Sequence, residues 1–189
     1  MIRIAVVGDI GSGKSFISNL FEQPVFNADL EVVNIYKKNK SCFAKIKKKI
    51  PNYFSKFPIK KTELINSILA DKMNLKKISN IVHPIVRKRF NYFLKKNKNK
   101  KIVILDIPLY FENKLNKKKD IVVYIEARKE QILHHLKKRN SFNLSLVNQL
   151  RSLQYSLRFK KKNSDFIIKN DYKISTVKKN VKTILKKLK

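Results

Sequence analysis

The most constraining feature of this sequence is a glycine-rich segment close to its amino terminus. Ile2–Val7 is a mostly apolar run typical of a buried strand, and Ser15–Phe21 has the pattern of a helix. Between them, Gly8–Ser15 has the sequence GDIGSGKS, which matches the phosphate-binding pattern G-x-x-x-x-G-K-[ST] in its expected strand-to-helix context. The match predicts a mononucleotide triphosphate site, and the alternative is an ordinary glycine-rich turn.

Glycine usage supports the first interpretation. The 189 residues contain only three glycines, at positions 8, 11 and 13, whereas average usage would give about 13. Glycine is needed where the backbone adopts positive φ or approaches another group closely. In such a loop, the N–H groups of residues 11–16 surround a β-phosphate, Lys14 reaches the β- and γ-phosphates, and the Ser15 hydroxyl ligates Mg²⁺. The predicted nucleotide-binding residues here are Gly8, Gly11, Ser12, Gly13, Lys14, Ser15 and Phe16.

The rest of the chain is predicted to form one α/β unit with helical insertions. Further strands are expected at 24–26, 102–106, 121–125 and 166–168, and helices at 129–139, 144–160 and 174–188. Residues 30–98 are expected to be mainly helical, with breaks at 51–58 and at His83-Pro84, and a turn is expected at 140–143. Strands that alternate with helices indicate a parallel, doubly wound sheet, here of five strands.

Polar residues follow three of the predicted strands. Asp29 follows the second, Asp106 ends the third and Asn170 follows the fifth. Ligands of such sheets bind at the carboxyl ends of the strands, so these side chains are expected near the glycine-rich loop. Asp106 is a candidate for holding Mg²⁺, with a helix or loop cap as its alternative. Asp29 is a candidate for orienting an acceptor hydroxyl, with an N-cap of a helix that begins at Leu30 as its alternative.

The charge of the chain is unusually positive. It has 45 Lys and Arg against 13 acidic residues, a formal net charge of +32, which ordinarily indicates a polyanion partner. Only seven of the 45 are Arg, the residue that makes bidentate contacts to nucleic acids. Lys, Asn, Ile and Phe, all abundant here, share A/T-rich codons. We therefore attribute the excess to base composition and expect no specific nucleic-acid partner.

Other composition features exclude several protein classes. The single Cys42 excludes a disulfide framework and a multi-cysteine zinc site. No apolar run approaches the roughly 20 residues of a membrane span, and the amino terminus lacks the pattern of a signal peptide. We expect a soluble, cytoplasmic protein without a membrane partner.

Taken together, the motifs resemble those of the dephospho-CoA kinases over essentially the whole chain. Similar to that family's patterns are Gly8–Ser15 (G-G-I-G-S-G-K-[ST]), Asn27–Asp29 (D-A-D), His83-Pro84 with Arg87 (H-P-x-x-R), Asp106–Glu112 (D-x-P-L-L-F-E), Gln131–Arg139 with Gln154 and Lys160 (the lid), and Ser164–Asn170 (A-D-x-V-I-x-N). The phosphate-binding pattern occurs in many families. The combination of H-P-x-x-R followed by D-x-P-L-x-F-E is far more specific.

The resemblance implies a P-loop NTPase fold of the nucleoside-monophosphate-kinase type. Its expected parts are a core (1–29, 99–136 and 161–189), a helical acceptor-binding region (30–98) and a lid (137–160). The implied reaction transfers the γ-phosphoryl group of ATP to the ribose 3′-hydroxyl of dephospho-CoA, with Mg²⁺ present. We expect a monomer.

The resemblance also implies roles for individual residues. Asp29 would be the base or orienting group, Arg139 the lid cation that neutralises the transferring phosphoryl group, and Asn170 would lie near adenine. The implied catalytic residues are Lys14, Asp29 and Arg139; the implied substrate-binding residues are Asn27, His83, Arg87, Pro108, Leu109 and Glu112; and the implied metal ligands are Ser15 and Asp106.

The chain departs from the family pattern at four positions. Asn27 replaces the first acid of D-A-D, Asp9 replaces the second glycine, Val33 stands where Arg is frequent, and His135 stands where another lid Arg is usual. Asn27 retains hydrogen-bonding capacity but no charge. Asp9 places an anion beside the loop, which is expected to weaken ATP binding unless the side chain points to solvent. These changes predict a slower enzyme.

Two other functions remain open from the sequence. The first is another nucleoside-monophosphate-type kinase, although those enzymes lack the D-P-L-x-F-E segment. The second is a basic nucleic-acid-binding protein with a vestigial ATP site, which would bind nucleic acid in a salt-sensitive manner.

Overall fold

The structure is a computed structural model that describes residues 1–139 and 142–188. Within these residues the strands are β1 (Ile2–Gly8), β2 (Val25–Asn27), β3 (Ile102–Asp106), β4 (Ile121–Glu126) and β5 (Phe166–Lys169). The helices are α1 (Lys14–Leu20), α2 (Ala28–Lys38), α3 (Lys40–Lys49), α4 (Lys61–Ala70), α5 (Lys72–Lys96), α6 (Lys129–Lys137), α7 (Leu144–Ser152), α8 (Leu157–Lys162) and α9 (Ile174–Lys187).

The chain divides into two compact units. The first unit comprises Met1–Asn27, Asn97–Asn143 and Leu150–Lys189, and the second comprises Ala28–Lys96 and Leu144–Gln149. The assignment of core, acceptor-binding and lid roles to parts of the chain stays a prediction.

The first unit contains the five-stranded parallel sheet that the sequence predicts. Its strand order is β2-β3-β1-β4-β5, and every neighbouring pair is parallel. The central strand β1 is apolar on both faces: Ile4, Ala5 and Val6 are fully buried. Continuous apolar runs are typical of strands that are covered on both faces. Helices α1 and α9 contribute to the same core, through Ile17 and Val181 among others.

The order of the strands positions the loop that follows β1. From β1 the chain crosses to β2 at one edge, returns through β3, and continues to β4 and β5 on the other side. The register places Val6 beside Asp106 and Gly8 beside Ile125. The loop after β1 therefore lies at the switch point of the sheet, where ligands of open α/β sheets bind.

The second unit is helical, as predicted for residues 30–98, but one of the two expected breaks is wrong. The break at 51–58 lies between α3 and α4, whereas α5 continues through His83 and Pro84. The helix break occurs instead at Asp71, whose carboxylate accepts a hydrogen bond from Met73 N (2.8 Å) at the start of α5. Proline removes one hydrogen bond inside a helix. Here, burial of Val82 and Phe90 on either side of Pro84 keeps the helix continuous.

The segment predicted as one helix over 144–160 is two helices. Helix α7 ends at Ser152 and α8 begins at Leu157. Ser156 caps α8, because its hydroxyl accepts a hydrogen bond from Phe159 N (3.2 Å). In the predicted turn at 140–143, Asn140 and Ser141 lie outside the described residues. Among the described helices, none is long and apolar enough to cross a membrane.

Candidate functional site

Gly8–Ser15, hereafter the phosphate loop, has a left-handed backbone, which favours glycine, at two of its positions. Gly11 has φ +84° and Gly13 has φ +89°, both in the left-handed region. A Cβ at Gly13 would lie 2.4 Å from Asn170 Nδ2, and one at Gly11 would lie 2.9 Å from Leu136 Cγ. Glycine is therefore favoured at positions 11 and 13 both by the backbone conformation and by the close packing of neighbouring side chains.

Lys14 is folded over this loop. Its side chain is buried, and its Nζ donates hydrogen bonds to the carbonyl oxygens of Asp9 (2.6 Å) and Gly8 (3.3 Å). Helix α1 begins at Lys14 directly after Gly13, which provides no side-chain cap. Because of these two hydrogen bonds, the ammonium group of Lys14 lies within the turn that the sequence predicts to hold phosphate. The next residues, Ser15 and Phe16, are both exposed.

Ser15 and Asp106, the two predicted metal ligands, are connected through Asn27. Asn27 Nδ2 donates to Asp106 Oδ2 (2.6 Å) and to Ser15 Oγ (3.3 Å). Asn27 and Asp106 are register partners at the ends of β2 and β3, which explains why they meet. Asp106 is buried. The structure thus brings together one hydroxyl and one carboxylate, oxygen donors of the kind that Mg²⁺ takes in proteins.

The described residues offer no cluster of three or more His, Cys, Asp or Glu that could hold a metal ion. Magnesium usually binds through one or two protein oxygens together with water and substrate phosphates. Ser15 and Asp106 fit that pattern, and they would require the phosphates of a nucleotide to complete the coordination.

Asn170 contacts the phosphate loop itself. Its Nδ2 donates to Ser12 O (2.9 Å), and its Oδ1 accepts from Tyr172 N (2.9 Å). The hydroxyl of Tyr172 donates to Gly11 O (2.9 Å). Asn170 and Tyr172, which both follow β5, therefore hold the main-chain carbonyl groups of two consecutive loop residues, Ser12 and Gly11. The proximity of Asn170 to adenine stays a prediction, and Tyr172 is a residue that no sequence motif indicated.

This arrangement predicts that Asn170→Ala loosens the loop. Loss of the amide leaves the buried Ser12 carbonyl without this donor, which costs about 1–3 kcal/mol. We expect the Kd for ADP, measured by calorimetry, to rise about tenfold. Asn163→Ala, which removes an exposed amide that donates to Phe159 O at the end of its own helix, is the matched control. Unchanged ADP affinity in Asn170→Ala would contradict the view that Asn170 holds the phosphate loop in place.

Arg139, the predicted lid cation, lies just beyond α6 and is exposed. Its charge acts on Tyr172: burial raises the pKa of the Tyr172 phenol, and Arg139 partly opposes that rise. His135, one turn earlier, stacks on the Tyr172 ring with centroids 4.0 Å apart and planes at 18°. Arg139 and His135 are thus both close to the residue that holds Gly11.

Asp9 is paired, contrary to the expectation of an anion that either opposes ATP or points to solvent. Arg151, at the end of α7, contacts both carboxylate oxygens of Asp9. No sequence motif indicates that Arg151 contacts Asp9, because 142 positions separate the two residues.

The segment after β3 is anchored by a buried ion pair. Glu112 Oε1 lies 3.1 Å from Lys160 Nζ and accepts from Tyr155 N (2.7 Å). Lys160 is fully buried and also donates to Gln154 Oε1 (2.7 Å) and Pro108 O (3.3 Å). Burial lowers the pKa of Lys160, and Glu112 opposes that effect. Among the described atoms, Glu112 Oε2 is buried without a hydrogen-bond partner. Pro108 and Leu109 are half-buried.

Lys160→Ala is expected to destabilise the protein by about 3–5 kcal/mol, because removing one partner of a buried pair leaves the other charge uncompensated. The free energy of unfolding in urea measures this effect. Lys161→Ala is the matched control: its ion pair with Glu126 is exposed and is expected to contribute at most about 1 kcal/mol. Equal losses in the two variants would contradict the buried pair.

The other predicted site residues belong to the second unit. Asp29 is exposed in the first turn of α2, which begins at Ala28, so its alternative as an N-cap before Leu30 is wrong. His83 and Arg87 lie one turn apart on α5. Partial desolvation and the charge of Arg87 lower the pKa of His83, which favours its neutral form. Their roles toward a substrate stay predictions.

Comparison with models of protein families matches the chain, over residues 2–176, to the family described as dephospho-CoA kinase. The chain belongs to the dephospho-CoA kinase family. The dephospho-CoA kinase of Wolbachia pipientis wMel is 33% identical over 190 residues, a match that covers 98% of this chain and 97% of that protein. The family resemblance of the motifs is thereby confirmed.

Two solved structures share the fold. One, of a Thermus thermophilus protein, has a TM-score of 0.80 at 23% identity and covers 100% of this chain and 98% of that chain. The other, of the dephospho-CoA kinase from Campylobacter jejuni, has a TM-score of 0.65 at 24% identity and covers 98% and 96% of the two chains. The predicted P-loop kinase fold is confirmed.

Membership of the dephospho-CoA kinase family also confirms the predicted enzyme class. Such an enzyme is a kinase that uses a nucleotide and transfers phosphate to an alcohol group of a small molecule. Of the three interpretations left open by the sequence, membership favours the first.

Proposed function

We propose that this chain transfers the γ-phosphoryl group of ATP to the ribose 3′-hydroxyl of dephospho-CoA, forming coenzyme A and ADP. The observation that carries the proposal is the hydrogen-bonded series Ser15–Asn27–Asp106 beside the phosphate loop. It places a hydroxyl, an amide and a carboxylate next to a turn that contains a buried ammonium group. That set matches what phosphoryl transfer from a nucleotide requires, namely positioning and charge neutralisation.

Lys14 is the principal nucleotide contact in this proposal. When phosphates enter the loop, Nζ exchanges the carbonyl oxygens of Gly8 and Asp9 for oxygens of the β- and γ-phosphates. The N–H groups of the loop and the start of α1 bind the β-phosphate. Because Tyr172 and Asn170 already hold the loop, little ordering accompanies binding.

Mg²⁺ would be held by Ser15 Oγ and, directly or through water, by Asp106. When bound, the ion neutralises charge on the β- and γ-phosphates. Asn27 keeps the Asp106 carboxylate and the Ser15 hydroxyl oriented toward the same place. Because Asn27 is an amide, it adds no charge beside Asp106. The family pattern has one acid at position 27 and another at position 106, whereas this chain has only the acid at position 106.

Asp29 would accept the hydrogen bond of the acceptor hydroxyl and align its oxygen with the γ-phosphorus. In the reaction the bond from O3′ to phosphorus forms, the bond from phosphorus to the β-phosphate oxygen breaks, and the hydroxyl proton leaves toward the Asp29 carboxylate. Arg139 would neutralise charge on the transferring group. His83, Arg87, Pro108, Leu109 and Glu112 are proposed to contact the acceptor.

We further propose that the protein acts as a cytoplasmic monomer without a specific nucleic-acid partner. Composition supports the last point, because only seven of the 45 basic residues are arginine and the others are lysine.

Purified protein with ATP, Mg²⁺ and, in separate reactions, dephospho-CoA, AMP or UMP tests the activity. We expect ADP release only with dephospho-CoA, and mass spectrometry should find coenzyme A with the new phosphate on O3′. Turnover on AMP or UMP alone would instead support a nucleoside-monophosphate kinase. Salt-sensitive binding of DNA or RNA without any product would support the nucleic-acid alternative.

A further inference from the structure

The phosphate loop carries an acidic side chain that is held by an arginine distant in sequence. Arg151 Nε lies 3.0 Å from Asp9 Oδ1, and Arg151 Nη2 lies 2.8 Å from Asp9 Oδ2. Asp9 Oδ1 also accepts a hydrogen bond from Ile10 N (2.7 Å). Two parallel contacts of this kind fix the orientation of both partners as well as their separation. The carboxylate therefore has one defined position beside the loop.

The negative charge of Asp9 acts within the site. Its side chain is 12% exposed. Burial raises the pKa values of Tyr172 and Tyr124, and the charge of Asp9 adds to that rise. Burial lowers the pKa of Lys160, and Asp9 opposes that effect. The main-chain carbonyl of Asp9 accepts from Lys14 Nζ. An anion so placed acts against the binding of another anion in the loop, because charges interact strongly where water is largely excluded.

Two nearby cations, Lys160 and Lys14, are engaged elsewhere. Lys160 is paired with Glu112 at 3.1 Å, and Lys14 Nζ contacts carbonyl oxygens of the loop. Arg151 contacts both oxygens of Asp9, and its side chain is 38% exposed. Arg151 is accordingly the residue whose charge and geometry match the Asp9 carboxylate.

We propose that Arg151 is a positioning residue for nucleotide binding: it neutralises Asp9 and holds the amino-terminal part of the phosphate loop so that the loop keeps its affinity for polyphosphate. The proposal rests on the proposed function in taking a nucleotide as the ligand of the loop. It differs from a catalytic role, because Arg151 acts through Asp9 and not through contact with the transferring phosphoryl group.

A double-mutant cycle measured by ADP binding tests this coupling. The proteins are the unaltered chain, Arg151→Ala, Asp9→Asn and the double variant, with Kd for ADP determined by calorimetry. We expect Arg151→Ala to weaken ADP binding about tenfold, because it leaves the Asp9 charge uncompensated. Asp9→Asn should bind ADP more tightly than the unaltered chain, and the double variant should recover most of the affinity that Arg151→Ala loses.

Further measurements separate neutralisation of Asp9 from a general structural effect. In Arg151→Ala, the ratio of ADP affinity to adenosine affinity should fall, because adenosine has no phosphate to be repelled. The loss should shrink at high salt. Arg151→Lys, which keeps the charge, should lose less than Arg151→Ala. Thermal unfolding without nucleotide shows whether each variant is folded.

Equal weakening of ADP binding in Arg151→Ala and in the double variant would overturn the proposal, and so would unchanged ADP binding in Arg151→Ala. This outcome is independent of the acceptor. If the unaltered chain binds ADP and shows the coupling but does not phosphorylate dephospho-CoA, the proposed function fails and this inference stands. If it phosphorylates dephospho-CoA and shows no coupling, the inference fails alone.

Discussion

Replacing Lys14 with Ala is expected to lower kcat/KM for ATP by about 10³-fold or more. In the structure its ammonium group is buried within the phosphate loop and bonded to the carbonyl oxygens of Gly8 and Asp9. Loss of this charge removes a contact to the β- and γ-phosphates, where negative charge is concentrated during transfer. Release of ADP with dephospho-CoA as acceptor measures the effect.

Two further variants make the Lys14 experiment decisive. Lys14→Met keeps most of the side-chain length without the charge and should lose activity to a similar extent. Lys118→Ala removes an exposed lysine in the loop before β4 and should leave the rate unchanged. A Lys14→Ala protein that is folded and retains more than a tenth of the activity would mean that the phosphate loop has been assigned the wrong role.

Asp29→Asn is the second substitution with a large expected effect, a loss of about 10²- to 10⁴-fold in kcat. The amide retains the shape of the side chain but cannot accept the proton of the acceptor hydroxyl. The KM for ATP should change little, because Asp29 is proposed to act on the acceptor. Steady-state kinetics with ATP and dephospho-CoA varied in turn separates these two parameters.

Glu130→Gln is the matched control for Asp29→Asn. Both residues are exposed acids in the first turn of a helix, so both substitutions remove the same small interaction with the helix dipole. Only the variant at Asp29 should lose turnover. Comparable losses in both would show that the effect comes from the helix start and not from the acceptor hydroxyl.

Local pattern was sufficient to predict the phosphate loop and the sheet. The three glycines coincide with positive φ values, and each of them has a neighbouring atom that a Cβ would strike. All five strands lie within a residue of their predicted bounds at each end. The central strands β1, β3 and β4 are apolar runs that neighbouring strands and helices bury. The strand-end rule also placed Asp106 next to Ser15 correctly, through Asn27.

Helix boundaries were less predictable. Pro84 was expected to interrupt a helix, yet burial of residues on both sides keeps α5 intact. The break between α7 and α8 was missed, because Ser156 acts as a cap only in the backbone conformation that the fold imposes. In both places a local preference worth a few kcal/mol competes with tertiary packing of similar size.

The sequence by itself determined the fold, the position of the phosphate loop and membership of the dephospho-CoA kinase family, because these depend on short motifs and on periodic burial. Tertiary structure alone decided which distant residues hold the phosphate loop and the segment after β3. Arg151 holds Asp9, Tyr172 holds Gly11 and Lys160 holds Glu112. Such pairs form between side chains far apart in the chain, and only the folded backbone brings their charges and hydrogen-bonding groups within contact distance.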